Sequence, residues 1–250
     1  MEILYTVYFF ILGAIFGSFY NVVGLRVPKK QSIVQPRSHC TSCKKNLTGI
    51  ELIPVFSYLF LKGKCRGCGA KFSPMYMFTE LITAFLFAAS YFYFGFTAEL
   101  FVALLFVSLL LCITVSDIAY MLIPDKILIF FLPFLILGRF ISPLSPWWDS
   151  IVAAILGFGL LFFIAIVSKG GMGGGDIKLF FLIGLVLGTL NTLLTLFIAA
   201  VIGMIVGIIV LTARGQGRKT LIPFGPSIAL AAIIVYFYGD AIVDLYLNMF

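Results

Sequence analysis

Charge is scarce in this chain: Asp, Glu, Lys and Arg make up 11% of its 250 residues, against 62% hydrophobic. A soluble domain carries about 25% charged residues, so an ordinary soluble fold is excluded, and disordered, collagenous and coiled-coil readings fall with it. Five cysteines are too few for a secreted disulfide scaffold. The single histidine, His39, lies in a polar loop, which argues against a Ser/His/Asp triad. No GK[ST] phosphate loop is present, so a nucleotide site has no anchor. No basic segment precedes the first apolar run, which starts at Met1-Glu2 and is followed by positive residues; it is expected to be a retained span and not a cleaved signal peptide. What is abundant is apolar side chain, with 28 Phe and a mean hydropathy of +1.16. The expected fold class is an all-α polytopic membrane protein.

The charge-free runs divide it into eight expected helices, 3–25, 75–95, 98–116, 126–142, 149–168, 177–189, 191–212 and 227–247, since a spanning helix needs about 20 mainly apolar residues. The run 179–213 is too long for one helix, and Gly188-Thr189-Leu190-Asn191 is where it should fold into a hairpin. Alternating eight spans puts loops 26–74, 117–125, 169–176 and 213–226 on one side. That side holds 16 of the 17 basic residues, among them Arg214, Arg218 and Lys219; only Arg139 falls opposite. The positive-inside rule makes it the cytoplasmic face, with both termini outside. An orientation-setting loop accounts for the net charge of +7, so no nucleic-acid partner is expected.

The one sizeable polar region, residues 26–74, contains Cys40-Thr-Ser-Cys43 and, 21 residues on, Cys65-Arg-Gly-Cys68. Two CxxC pairs at this separation suit one tetrahedral site closed by four thiolates. Gly67 and Gly69 permit tight turns around the sulfurs, and Lys44, Lys45, Lys64 and Arg66 offset the net −2 of zinc with four thiolates. A cytoplasmic loop argues against disulfides. The expected cofactor is structural zinc, because a closed shell leaves no position for a substrate. Cys112, mid-span, reads as a core filler.

Carboxylates at membrane helix ends are expensive and usually functional. Glu2, Glu99, Asp149, Asp240 and Asp244 fall at outer ends, and Glu51 in the solvated loop, which leaves Glu80, Asp117, Asp125 and Asp176 facing the cytoplasm. Asp125 follows Pro124 before a new apolar run and reads as a helix N-cap. Asp117 ends a span whose C-terminal dipole disfavours an anion, whereas Asp176, closing Gly170-Gly-Met-Gly-Gly-Gly175, starts a helix whose N-terminus favours one. Two carboxylates on neighbouring cytoplasmic helix ends, in opposite environments, would make an acid/base pair suited to aspartic peptide hydrolysis if the fold brings them together.

These residues resemble a family. Gly17-Ser-Phe-Tyr-Asn-Val-Val, Arg26-Val-Pro28, both CxxC pairs, Ile53-Pro54, Gly63-Lys-Cys65, Glu80-Leu-Ile-Thr83, Asp117 with Leu122-Ile-Pro-Asp125, Gly171-Met-Gly-Gly-Gly-Asp176-Ile-Lys178-Leu and Ile222-Pro-Phe-Gly-Pro226 look like the bacterial type IV prepilin peptidases of the GxGD group of membrane aspartic proteases. The resemblance runs nearly end to end. It implies that Asp117 and Asp176 are the catalytic pair, with Asp176 as the GxGD aspartate. It further implies cleavage of the basic leader of type IV prepilin or pseudopilin precursors, at the cytoplasmic face of the bacterial inner (plasma) membrane. Many relatives then N-methylate the new terminus with S-adenosylmethionine; no residues for that cofactor follow from the motifs. Tyr58, Lys62 and Met77 depart from the family's usual Trp, Arg and Pro.

The resulting division is a first span (1–25), a tetracysteine zinc loop (26–74) and a seven-helix peptidase core (75–250). A proton-coupled transporter would also use membrane carboxylates, but these cluster at one face and no internal repeat is present. A non-catalytic assembly protein with a zinc module would leave Asp117 and Asp176 without a purpose.

Overall fold

The computed structural model describes residues 1–169, 171–214 and 223–248, with the side chains of 213 and 214 excepted. Gly170, Arg218, Lys219 and Ile222, and the side chain of Arg214, therefore lie outside the described residues. Among the described residues there is helix and no strand, beyond two isolated bridges in the cysteine loop. The helices are α1 (Glu2–Arg26), a short α2 (Phe56–Phe60), α3 (Met75–Phe94), α4 (Ala98–Tyr120), α5 (Asp125–Ile141), α6 (Asp149–Val167), α7 (Gly174–Leu187), α8 (Thr189–Arg214) and α9 (Gly225–Leu247). Eight expected helices are thus present as α1 and α3–α9. The cysteine loop adds α2 and one 3₁₀ turn, Ile50–Leu52.

Six of these helices are long and apolar enough to cross a membrane: Glu2–Arg26, Met75–Phe94, Ala98–Tyr120, Asp149–Val167, Thr189–Thr212 and Gly225–Leu247. The chain is a multi-pass membrane protein on that count. α5 has 17 residues and α7 has 14, which at 1.5 Å per residue gives roughly 25 Å and 21 Å, against a hydrocarbon core of about 30 Å.

The chain forms two compact units, Met1–Val115 and Ser116–Phe250. In the first, α1 and α3 pack closely because Gly13 and Gly17 present no side chain. A Cβ at Gly13 would lie 2.6 Å from the Thr83 carbonyl oxygen, and one at Gly17 2.7 Å from Glu80 Cα. The opposite side of α1, with Ile3, Leu4, Val7, Ile11 and Ile15, is exposed, as a lipid-facing surface is. Cys112 is buried in this core.

In the second unit α7 touches α5, α6, α8 and α9. Ile177, Leu179, Phe180 and every residue from Leu182 to Leu187 are buried, so the C-terminal half of α7 is apolar and packed within the protein. Gly157 and Gly184 let α6 and α7 approach backbone to backbone. The hairpin falls where the long run was expected to fold: α7 stops at Leu187, Gly188 adopts φ +79, and α8 starts at Thr189. Asp149, the first residue of α6, accepts hydrogen bonds from the Thr189 backbone N–H (3.1 Å) and hydroxyl. Arg139 is buried and donates to the Val186 carbonyl at 2.6 Å and the Ser142 carbonyl at 3.1 Å, so it serves carbonyl groups at the ends of α7 and α5.

Candidate active site and metal centre

Asp117 lies in the last turn of α4 and is only 6% exposed. The helix continues to Tyr120, then Met121 takes φ +52 and the chain reverses through Leu122-Ile-Pro. The Ser116 hydroxyl donates to the Leu122 carbonyl at 2.6 Å and fixes that reversal. The carboxylate of Asp117 accepts the Gly225 backbone N–H at 2.7 Å, in the first turn of α9. This helix N-terminus offsets the unfavourable C-terminal dipole of α4. A Cβ at Gly225 would stand 2.8 Å from Asp117 Oδ2, so the contact requires glycine.

Asp176 sits in the first turn of α7, outside the six candidate spans. Burial, then the charge of nearby Asp117, push its carboxyl up to about 6, against an opposing hydrogen bond from the Gly173 backbone. The charge of Asp117 is thus felt at Asp176. The helix N-terminus favours an ionised Asp176, whereas burial and the nearby like charge oppose it. A Cβ at Gly173 would lie 2.9 Å from Asp176 Oδ2, and one at Gly175 2.6 Å from Ile123 Cβ, whereas Gly174 has nothing within 4 Å. Two of the three glycines before Asp176 are thus spaces that the site occupies.

Asp125 is not the expected N-cap. It is the first residue of α5, Pro124 takes the cap position, and no side chain caps the helix. Asp125 instead pairs with Lys178 Nζ at 2.7 Å, with both side chains about half exposed. Pro124 fixes the start one residue earlier, which frees the carboxylate to reach α7. Glu80, buried on α3, accepts the Val55 backbone N–H at 2.7 Å and belongs to the first unit.

The four cysteines of the loop converge, with all Sγ atoms within 4.8 Å of one another. None is in a disulfide. The two CxxC turns are built alike. Cys40 N–H donates to the Lys45 carbonyl and Lys44 N–H to the Cys40 carbonyl; Cys65 N–H donates to the Ala70 carbonyl and Gly69 N–H to the Cys65 carbonyl. Lys44 (φ 58) and Gly69 (φ 71) take the same left-handed position in each turn. Gly67 N–H points at Cys65 Sγ, 3.4 Å away. Backbone N–H groups of Cys43 and then Ser42 hold the Cys40 thiol down at about 6. This cluster can hold a metal ion. His39 stays outside it, its Nδ1 2.9 Å from the Arg37 carbonyl oxygen.

Two family models match the chain. The bacterial peptidase A24 N-terminal domain covers residues 11–94 and the type IV leader peptidase family covers residues 104–208. The prepilin leader peptidase/N-methyltransferase of Bacillus subtilis (strain 168) is 50% identical over 96% of this chain and 97% of its own length. The chain belongs to the type IV leader peptidase family. Other relatives agree: the proteins of the same name from Xanthomonas campestris and Pseudomonas aeruginosa are 32% and 34% identical, each over 95% of this chain and 92% of the relative. No solved structure matches the chain significantly. For a leader peptidase, the Gly225 contact is the feature that sequence reasoning missed. Its only signal was the resemblance of Ile222-Pro-Phe-Gly-Pro226, which carried no assigned role.

Proposed function

We propose that this chain is a membrane aspartic endopeptidase that removes the basic leader of type IV prepilin-like precursors, with Asp117 and Asp176 as its catalytic pair. The observation that carries this reading is that each carboxylate of the second unit is seated against a glycine of its motif, Asp117 at Gly225 and Asp176 at Gly173, with the charge of Asp117 acting at Asp176. One carboxylate, ionised, takes a proton from water as the water oxygen attacks the scissile carbonyl carbon. The other, protonated, gives its proton to the carbonyl oxygen. Collapse of the tetrahedral diol breaks the C–N bond, and the departing nitrogen takes up a proton.

The reaction site faces the cytoplasm of the bacterial inner membrane in this reading, because 16 of 17 basic residues share that side when eight helices cross. A precursor whose apolar segment lies in lipid and whose leader lies in the cytoplasm then delivers its scissile bond to the depth of both aspartates. The functional division is a first span (1–25), a zinc loop (26–74) and a peptidase core (75–250). Zinc fits the loop because four thiolates form a closed tetrahedral shell and four basic residues flank it. As the relatives' names imply, the trimmed terminus is also N-methylated, with S-adenosylmethionine as donor. Pseudopilin precursors belong to the same substrate class, and no nucleic acid takes part.

The test is leader loss from a prepilin-like substrate incubated with detergent-purified protein. Wild type should cleave, while Asp117→Asn and Asp176→Asn, which keep size but cannot exchange the proton, should each be inactive with the fold retained. Full activity in both variants overturns the assignment, and an intact substrate with wild type overturns the reading.

A further inference from the structure

The cysteine loop has a face that neither the metal cluster nor the packing of α1 on α3 uses. In α2, Phe56, Leu59 and Phe60 are 61%, 58% and 82% exposed. Their spacing of i, i+3 and i+4 puts them on one side of the helix, with Ser57, Tyr58 and the C-cap residue Leu61 on the other. That other side lines a cavity whose wall includes Ser18 of α1 and Glu80 of α3. The helix therefore turns one side towards the spans and an apolar side, with two phenyl rings, away from them. Exposed apolar side chains grouped in this way mark an interaction surface, for lipid or for protein.

The anchoring of α2 sets its depth. α1 and α3 are both long and apolar enough to cross a membrane, so the loop joining them is tied to one membrane face at both ends. α3 has 20 residues, roughly 30 Å at 1.5 Å per residue, which matches a hydrocarbon core of about 30 Å with nothing to spare. Its first turn therefore lies at the headgroup boundary. Glu80, about 7.5 Å further along the axis than Met75, accepts the Val55 N–H at 2.7 Å, and its side chain leans back towards the start of α3. Val55 is the N-cap of α2 and takes φ 62, a backbone that a β-branched residue adopts only where its surroundings impose it. The loop thus folds back alongside α3, and α2 starts at or just inside the headgroup boundary. Interfacial amphipathic segments lie at this depth, with their apolar face about 5–10 Å into the boundary. The charge agrees. Residues 26–74 carry ten Lys and Arg against Glu51 alone, and Lys62 and Lys64, just after α2, are exposed. A basic segment beside an apolar face complements an anionic leaflet.

We propose that α2 is an interfacial membrane anchor, with Phe56, Leu59 and Phe60 inserted among the acyl chains of the leaflet at which α1 and α3 meet the loop, and Lys62 and Lys64 at the phosphates of anionic lipids. The lysine stems suit that position, since they carry the ammonium groups out to the phosphates while α2 stays among apolar chains. The cysteine cluster is then held against the membrane surface and does not project into solvent. The inference is independent of the aspartate pair and needs only that α1 and α3 cross the membrane.

The experiment uses the full chain in lipid nanodiscs of phosphatidylcholine and phosphatidylglycerol. Trp147→Phe and Trp148→Phe remove the two native tryptophans, and Phe60→Trp supplies the reporter. Phosphatidylcholine brominated near the headgroup end of its chains should quench the emission by about half or more, because the ring lies among those chains, while aqueous acrylamide should leave it nearly unchanged. Leu59→Trp reports on the same face and decides the result should Phe60→Trp lose its helical circular dichroism. Omitting phosphatidylglycerol, or combining Lys62→Glu with Lys64→Glu, should weaken the lipid quenching; quenching indifferent to both overturns the part given to the lysines. Emission quenched by acrylamide and untouched by brominated lipid places α2 in water and overturns the anchor. Emission shielded from both quenchers means that protein covers the face, which overturns it as well.

Discussion

Replacing Gly175 by Ala adds one methyl group at the point where α7 meets the turn after Asp117. The new Cβ would lie 2.6 Å from Ile123 Cβ and 3.2 Å from the Ile123 carbonyl oxygen, where ordinary contact begins at 3.4 Å. Something must give by nearly 1 Å. Ile123 is buried and held between Pro124 and a Leu122 carbonyl bonded to Ser116. The yielding part is therefore the Asp117 turn or the first turn of α7, and in both cases the carboxylates separate. A misplacement of about 1 Å costs roughly 10²-fold in rate, so Gly175→Ala should cleave about a hundredfold more slowly. Gly173→Ala should be similarly impaired, since its Cβ would press on Asp176 Oδ2 itself at 2.9 Å. Gly174→Ala is the control. The same methyl group, one residue away, meets nothing within 4 Å, and alanine in a helix is favoured over glycine by up to about 1 kcal/mol. Initial rates of leader loss, with thermal melts to confirm folding, would measure all three. Gly175→Ala at wild-type rate, or Gly174→Ala as slow as Gly175→Ala, would refute the reasoning.

Elemental analysis should give about one zinc per chain, absent from a Cys40→Ser plus Cys43→Ser variant whose loop 26–74 becomes protease-sensitive, because metal binding supplies much of a small module's folding energy; metal-free wild type purified without chelator would remove the zinc assignment. Asp176, with its carboxyl at about 6 when folded and about 3.9 when unfolded, binds its proton more tightly in the folded state, so it lowers stability as pH rises through that window. Asp176→Asn should therefore melt above wild type near neutral pH, and the gap should close as pH falls from about 6 to about 4; a pH-independent gap contradicts the assignment. Asp125→Asn breaks a half-exposed ion pair with Lys178, worth about 0–1 kcal/mol, so melting should barely change and cleavage should persist. Reporter fusions after Lys45 and Gly173 should read cytoplasmic and one after Pro146 external; a cytoplasmic C-terminus would mean that α5 or α7 does not cross.

The helices were legible because apolar runs in this chain are bounded by charge, Pro or Gly, and a 20-residue run with a glycine break admits few alternatives. The hairpin at Gly188 was readable for that reason. Hydropathy reports that a segment avoids water, and does not distinguish lipid from protein as the alternative. That is why α7 reads as a span in sequence yet is 14 residues long and buried along its C-terminal half. Asp125 was misread by one position, since Pro124 and Asp125 are both acceptable at a helix start and only packing sets the register.

The aspartates were legible as candidates because each sits where an unpaired carboxylate is expensive, but their environments were not, since these come from far along the chain. The N–H that Asp117 accepts belongs to Gly225, 108 residues away, and the charge that acts on Asp176 belongs to Asp117. Local dipoles assigned the two carboxylates opposite characters; tertiary structure gave Asp117 a helix N-terminus and left Asp176 half-buried within the field of a like charge. The glycines explain how both can be true at once. At Gly173, Gly175 and Gly225 the volume a side chain would fill is taken by Asp176, Ile123 and Asp117 respectively, so the first turns of α7 and α9 close onto carboxylates and the turn between them. A motif written as glycine, any residue, glycine, aspartate is then a record of steric vacancy at its first and third positions, and the freedom of Gly174 is the part of it that a single methyl group can test.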